Sequence, residues 1–170
     1  MVIRCKSEGC GQFVAENSSY CPLHKVEARK KWLARIREGA AVKENRDKEF
    51  VALHAKADAA GRAAVDALQV VPMVVQEHAN MANDNSPVAK SYYVPDGVCG
   101  FASIIITPGN CPFANWAKKH LNAGKHYHGG VSIWVHDYNQ SYQKKTAYAH
   151  AYGKVLAEAG IKGYVDSRLD

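Results

Sequence analysis

Lys125-His126-Tyr127-His128-Gly129-Gly130-Val131-Ser132-Ile133-Trp134-Val135 is the stretch on which the fold turns. Gly129-Gly130 is a turn signal, and residues 131–135 carry the β-branched and aromatic side chains of a strand. If residues 125–128 pair with that strand through the glycines, the element order is β-α-β-β-α-β, the ferredoxin-like split arrangement. If they do not, the order is β-α-β-α-β. Both are α+β sandwiches with two helices on one face of a small sheet, and the first is the expectation.

The flanking elements fit either order. Phe101 to Thr107, with Ile104-Ile105-Ile106 at its centre, reads as a buried strand closed by Pro108-Gly109. Phe113 to Leu121 reads as a short helix with Phe113, Trp116, Ala117 and His120 on one face. A second helix should begin after Ser141, a good N-cap residue, and end at Gly160, a good C′ glycine. Ile161 to Val165 is the last expected strand. This domain is placed at residues 91–170.

Upstream, residues 70–98 hold Pro72, Pro87 and Pro95 with a cluster of Asn, Asp and Ser, so residues 70–90 are expected to be a linker. Residues 25–69 contain no proline and are rich in Ala, Lys, Arg and Glu, the composition of a long basic helical segment, as one helix or two. Val26, Leu33, Ile36 and Ala40 form one apolar stripe; Phe50, Leu53, Ala57, Ala60, Ala64 and Leu68 form another. The polar run Lys43 to Lys48 interrupts them.

Residues 1–24 read as a metal module. The spacing Cys5-x4-Cys10-x10-Cys21-x2-His24 brings two close pairs of soft ligands together across a short loop, as tetrahedral Zn2+ requires. Some twenty residues cannot build a sufficient apolar core, so the metal would fold them. Four protein ligands leave no position for water or substrate, which points to a structural zinc knuckle. With no apolar leader at Met1-Val2-Ile3-Arg4, the cysteines are expected as thiols or ligands in a cytoplasmic protein. No stretch is apolar enough to span a membrane.

The 170 residues are 47% apolar and 22% charged, values of a folded protein, and the net charge is +6. Between Lys25 and Lys48, nine basic residues face four acidic ones. Arg29, Lys30, Lys31, Arg35 and Arg37 are therefore candidate phosphate contacts on a helix face. Lys144 and Lys145, one turn into the last helix, are further candidates beside N–H groups free to hold an anion. Tyr92, Tyr93, Trp134, Tyr138 and Tyr142 are candidates for a base-stacking platform. The dense histidines His120, His126, His128, His136 and His150 match no metal motif, and Cys99 and Cys111 read as inert buried thiols.

Cys5-Lys6-Ser7-Glu8-Gly9-Cys10 through Tyr20-Cys21-Pro22-Leu23-His24, followed by a basic helix, resembles the short zinc leader of phage HNH endonucleases. That resemblance implies a nuclease centre of two histidines and an asparagine, for which His128, Asn139 and His150 stand in order. Residues from about 90 to 170 are similar to a group of small phage proteins of uncharacterised function, with Gly129-Gly130, Ile133-Trp134, Asn139-Gln140-Ser141 and Ser167-Arg168-Leu169-Asp170 as landmarks. The resemblance implies a phage origin and action in the host cell cytoplasm. The expected function is a non-catalytic accessory protein that binds nucleic acid (RNA or DNA) or a host nucleoprotein complex. The alternatives are an inhibitor that binds a host protein target in a defence or transcription complex, and a divergent metal-dependent nuclease.

Overall fold

The computed structural model describes residues 2–15 and 17–170. The chain divides into two units, Met1–Lys48 and Glu49–Asp170. The division falls inside a helix, not at residue 24 or near residue 90 where the sequence reading put its boundaries.

In the first unit, β1 (Val2–Arg4) and β2 (Phe13–Ala15) form an antiparallel hairpin with Ile3 opposite Val14. Helix α1 (Pro22–Asp66) follows. Pro22 suits its first turn, where an N–H would have no intrahelical acceptor. The polar run at residues 43–48 does not break it, because Lys, Glu and Arg are good helix formers and Lys48 pairs with Glu44 at 2.9 Å. Residues 25–69 are thus one helix as far as Asp66.

The second unit takes α1 from Glu49 onward, then β3 (Met73–His78), β4 (Val88–Val94), β5 (Gly100–Ile106), α2 (Pro112–His120), β6 (Gly124–Lys125), β7 (Val131–Trp134), α3 (Tyr142–Glu158) and β8 (Gly163–Leu169). The main sheet runs β6-β7-β5-β8 with every neighbouring pair antiparallel. This is the split β-α-β-β-α-β order. The turn before β7 is longer than expected: β6 stops at Lys125, and His126, Tyr127 and His128 lie in the turn, closed by the His126 N–H donating to Gly130 O at 3.2 Å. Strand β8 runs past Val165 to Leu169 because β5 offers a partner along its whole length.

The expected linker is a hairpin. Strands β3 and β4 pair antiparallel from Met73 opposite Val94 to His78 opposite Val88, with a bulge at Glu77/His78. Pro72, Pro87 and Pro95 sit just outside the paired residues, where the missing N–H costs no ladder bond. Between them, Val74, Val75, Tyr92 and Tyr93 are the residue types that fit a pleated ribbon.

The core lies between one face of the main sheet and the helices. Ala102, Ile104 and Ile106 of β5 pack with Phe113, Trp116 and Ala117 of α2 and with Ala149, Tyr152 and Leu156 of α3. Truncating Ile104, which is 2% exposed, to Ala would cost about 2–5 kcal/mol. Ser141 caps α3 by accepting from Lys144 N and donating to the Asp96 carbonyl, and Gly160 takes φ +78° after its last turn.

The second stripe of α1 joins this core through Phe50, Leu53, Ala57 and Ala60. At Gly61 the Tyr148 side chain of α3 packs against α1, where a Cβ would lie 2.5 Å from its ring. That ring is held from its far end, the Tyr148 hydroxyl donating to Asp58 Oδ1 at 2.5 Å. Arg62 in turn pairs with Asp58 at 2.9 Å and Asp137 at 3.2 Å. Deeper in, Tyr152 Oη and His54 Nδ1 are 2.7 Å apart. Burial pushes the Tyr152 phenol well above its ordinary range, so it is the donor and neutral His54 the acceptor.

Gly61→Ala should therefore destabilise the fold by about 1–3 kcal/mol despite the better helix propensity of Ala. Gly39→Ala, on the same helix with nothing within 4 Å of the new Cβ, should do the opposite; urea unfolding monitored by circular dichroism compares the two. Burial also holds the His54 imidazole below its ordinary value of 6.5, against the pull of Asp58. The unfolded chain then binds the proton more tightly, so stability is full above that value and falls as pH drops through it. Burial tends to raise Asp58, but hydrogen bonds from Arg62 and Tyr148 leave it below 3.8, adding a second loss in stronger acid. Melting temperatures should decline between about pH 7 and 5, and His54→Gln should flatten that decline.

Candidate metal centre and basic groove

Four side chains from three local segments converge in the first unit. The loop after β1 supplies Cys5, the turn before β2 supplies Cys10, and the first turn of α1 and the residue before it supply His24 and Cys21. Their ligand atoms all lie within 4.8 Å of one another. Cys10 Sγ and Cys21 Sγ are 4.0 Å apart; His24 Nδ1 is 3.5 Å from Cys5 Sγ and 3.2 Å from Cys21 Sγ. Tetrahedral Zn–S bonds of 2.3 Å place sulfurs about 3.8 Å apart, so the donor set fits an ion such as zinc. All three cysteines are free thiols.

The surroundings favour a thiolate at Cys5. The cluster sits at the start of α1, the positive end of the helix dipole. Burial tends to raise the Cys5 thiol, but hydrogen bonds from the backbone of Cys21 and Ser7, then from His24 and Cys10, outweigh it and leave it at about 6. At Cys10 a hydrogen bond from the Gln12 backbone lowers the thiol, while burial and the sulfurs of Cys5 and Cys21 raise it further, for a net upward shift. The apolar support is slight: buried Val14, with Tyr20 packed beside the cysteines. That is too little burial to fold the hairpin unaided, which agrees with a structural ion.

A groove of about 460 Å³ runs beside this cluster, lined by the cations Lys6, Lys31 and Arg35, the carboxylate of Glu27 and the rings of Tyr20 and Trp32. Trp32 is 59% exposed and lines the groove. Arg29, Lys30, Lys31, Arg35 and Arg37 are all exposed, but they do not make one face. Successive helical residues are 100° apart, so Lys31 and Arg35 share the groove side while Lys30 and Arg37 fall on another.

No protein-family model matches the chain, and no curated protein or solved structure is significantly similar to it. Its function has to be read from its own residues.

Lys144 and Lys145 are not free surface cations. Lys144 Nζ lies 2.5 Å from Asp96 Oδ1, which holds that carboxyl below its ordinary range. Lys145 is 5% exposed, its ammonium 5.4 Å from the Phe101 ring centroid. At the start of α3 the N–H groups of Ser141, Tyr142 and Lys144 donate to Tyr138 O, Val98 O and Ser141 Oγ, so they are not free to hold an anion. The expected stacking platform is also dispersed: Tyr92 and Tyr93 lie on the β3–β4 hairpin, Tyr138 packs on Tyr148, and Tyr142 meets Ser167. Trp134 alone stays on the main sheet, edge-on to Phe101.

His128, Asn139 and His150 occupy separate settings. His128 stacks on Tyr127 in the β6–β7 turn, Asn139 is in the loop before α3, and His150 is exposed on α3 beside a cleft lined by Ile105 and Val165. Among the described residues, Cys5, Cys10, Cys21 and His24 are the only set of three or more His, Cys, Asp or Glu side chains close enough to share an ion. Cys111 caps α2, its sulfur accepting from Ala114 N, and Cys99 bridges to Ser141. Among the described residues no helix is long and apolar enough to cross a membrane.

Titrating the reduced, metal-free chain with Co2+ should give thiolate-to-cobalt charge-transfer bands that saturate at one ion per chain and are displaced by Zn2+. Cys21→Ser should weaken binding by more than the roughly ten- to hundredfold that loss of an outer-shell partner costs. Chelation should unfold the β1–β2 hairpin.

Proposed function

We propose that this chain is a non-catalytic phage accessory protein that uses a zinc-folded module and the first half of α1 to bind nucleic acid, free or within a host nucleoprotein complex. The groove beside the Cys/His cluster carries the reading. Two helix cations one turn apart, Lys31 and Arg35, stand with Lys6 along a concave surface that holds one carboxylate, Glu27, and offers the rings of Trp32 and Tyr20. Cations spaced along a groove pair with successive phosphates, and exposed aromatic faces stack on bases.

The charge distribution supports it. Residues 1–48 hold eleven Lys and Arg against six Asp and Glu, a net +5 of the chain's +6. Among the described residues, Arg29, Lys30, Lys31, Arg35 and Arg37 have no ion-pair partner. Zinc would act here as scaffold, since all four of its ligands come from protein and its role is to fix Lys6, Tyr20 and α1 in one arrangement.

A second reading is an inhibitor that docks on a host protein. It is favoured by the apolar side chains that α1 exposes among its charges, with Val26 at 56%, Leu33 at 39% and Ile36 at 53%.

Binding to labelled RNA and DNA, single- and double-stranded, should weaken steeply with salt. The double substitution Lys31→Gln, Arg35→Gln should lower the slope of log K against log salt by about two, one for each lost phosphate contact. A salt-resistant host protein recovered on the zinc-loaded chain, with no retained nucleic acid, would favour the inhibitor reading instead.

A further inference from the structure

The sheet face turned away from the core is a second candidate surface. Strand alternation puts Phe101, Ser103 and Ile105 of β5 there, with Ser132 and Trp134 of β7 and Tyr164, Asp166 and Arg168 of β8. In register, Ser103 stands between Trp134 and Asp166, and Ile105 between Ser132 and Tyr164. The face is partly closed by the β6–β7 turn, whose His126 leans across it to meet the Tyr164 ring edge-on. The result is a cleft of about 320 Å³.

Its polar groups are unspent. His126 is 7% exposed and Ser132 4% exposed, and both line the cleft. Among the described residues, neither ring nitrogen of His126 has a hydrogen-bond partner, nor does Ser132 Oγ. Asp166 Oδ2 lies 3.4 Å from the imidazole Nε2 but outside hydrogen-bond geometry. A buried hydroxyl or imidazole left unpaired costs about 1–3 kcal/mol, a cost that a ligand with matching donors and acceptors would remove.

The walls indicate what that ligand is. Trp134, 46% exposed, and Phe101 meet edge-on with centroids 6.2 Å apart, so one ring offers a face to a planar guest. Arg168 lies 5.4 Å from the Phe101 centroid, and Lys125 also lines the cleft. Two cations against the single carboxylate of Asp166 suit an anionic chain. A planar, hydrogen-bonding group attached to a phosphate chain combines these demands.

We infer that this cleft binds single-stranded nucleic acid, stacking a base on Trp134, reading its edge with His126 and Ser132, and holding the adjoining phosphates with Lys125 and Arg168. A duplex, whose bases are paired and stacked, cannot enter it. This site does not depend on the α1 groove.

The test is fluorescence anisotropy of the full zinc-loaded chain with fluorescein-labelled oligodeoxythymidine, oligouridine and a duplex of equal length. Trp134→Ala should weaken binding to the single strands by about tenfold or more and leave the duplex unchanged. Ser132→Ala should also weaken single-strand binding while leaving the melting temperature equal or higher, since it removes an unpaired buried hydroxyl; a purely structural serine would not separate the two readouts. A variant with Arg29, Lys30, Lys31, Arg35 and Arg37 all changed to Gln tells the two surfaces apart. Residual binding by that variant that prefers single strands and needs Trp134 supports the cleft whether or not the helix contributes. Wild-type single-strand affinity in both Trp134→Ala and Ser132→Ala overturns it, as does complete loss of single-strand binding in the helix variant.

Discussion

Over Ser103–Ile106, strand β5 has a hydrogen-bonded neighbour on each side, and this double pairing governs the second unit. A strand so held cannot shift register by one residue without turning Ile104 and Ile106 out of the core and Ser103 into it. Fixing it therefore fixes both faces at once. On one face the isoleucines receive α2, α3 and the later part of α1. On the other, the same alternation places Phe101 and Ser103 in the cleft that the β6–β7 turn partly closes.

The two units reach stability by different routes. The second buries a continuous apolar cluster of Ile, Phe, Trp, Tyr and Leu side chains and needs no help. The first buries Val14 and two cysteines among its described residues, and brings together a Cys/His set whose geometry fits an ion such as zinc. The units differ as much in charge: of the chain's +6, the second carries only +1. A nearly neutral unit with an apolar core and a basic one with a Cys/His cluster share the same helix.

The parts of this fold that were legible in the sequence are those set by local chemistry. Gly129-Gly130, Ser141 and Gly160 mark turns and caps whose backbone demands few other residues meet, and the Cys/His spacing is close to a geometric statement about a tetrahedron. What was misread depends on distant partners. The prolines at 72, 87 and 95 suggested a linker because the ladder between Val74-Val75 and Tyr92-Tyr93 joins residues far apart in sequence. Ser167-Arg168-Leu169 became strand because β5 was there to pair with it. Lys144 and Lys145 looked like free cations until Asp96 and Phe101 folded against them. The groove residues Lys6, Tyr20 and Trp32 carried no sequence signal, since only the hairpin and helix together bring them side by side. Ser132 was the exception in the cleft: its place between Val131 and Ile133 already put it on the opposite face of the strand.

The contact at Gly61 reaches beyond stability. The absent methyl group there is the space that the Tyr148 ring fills, and Asp58 fixes how that ring is angled. The three positions thus form one unit of inheritance. As such sequences diverge, a larger residue at 61 should go with a smaller one at 148, and a lineage that loses the tyrosine releases the glycine to drift while Arg62 still holds the aspartate.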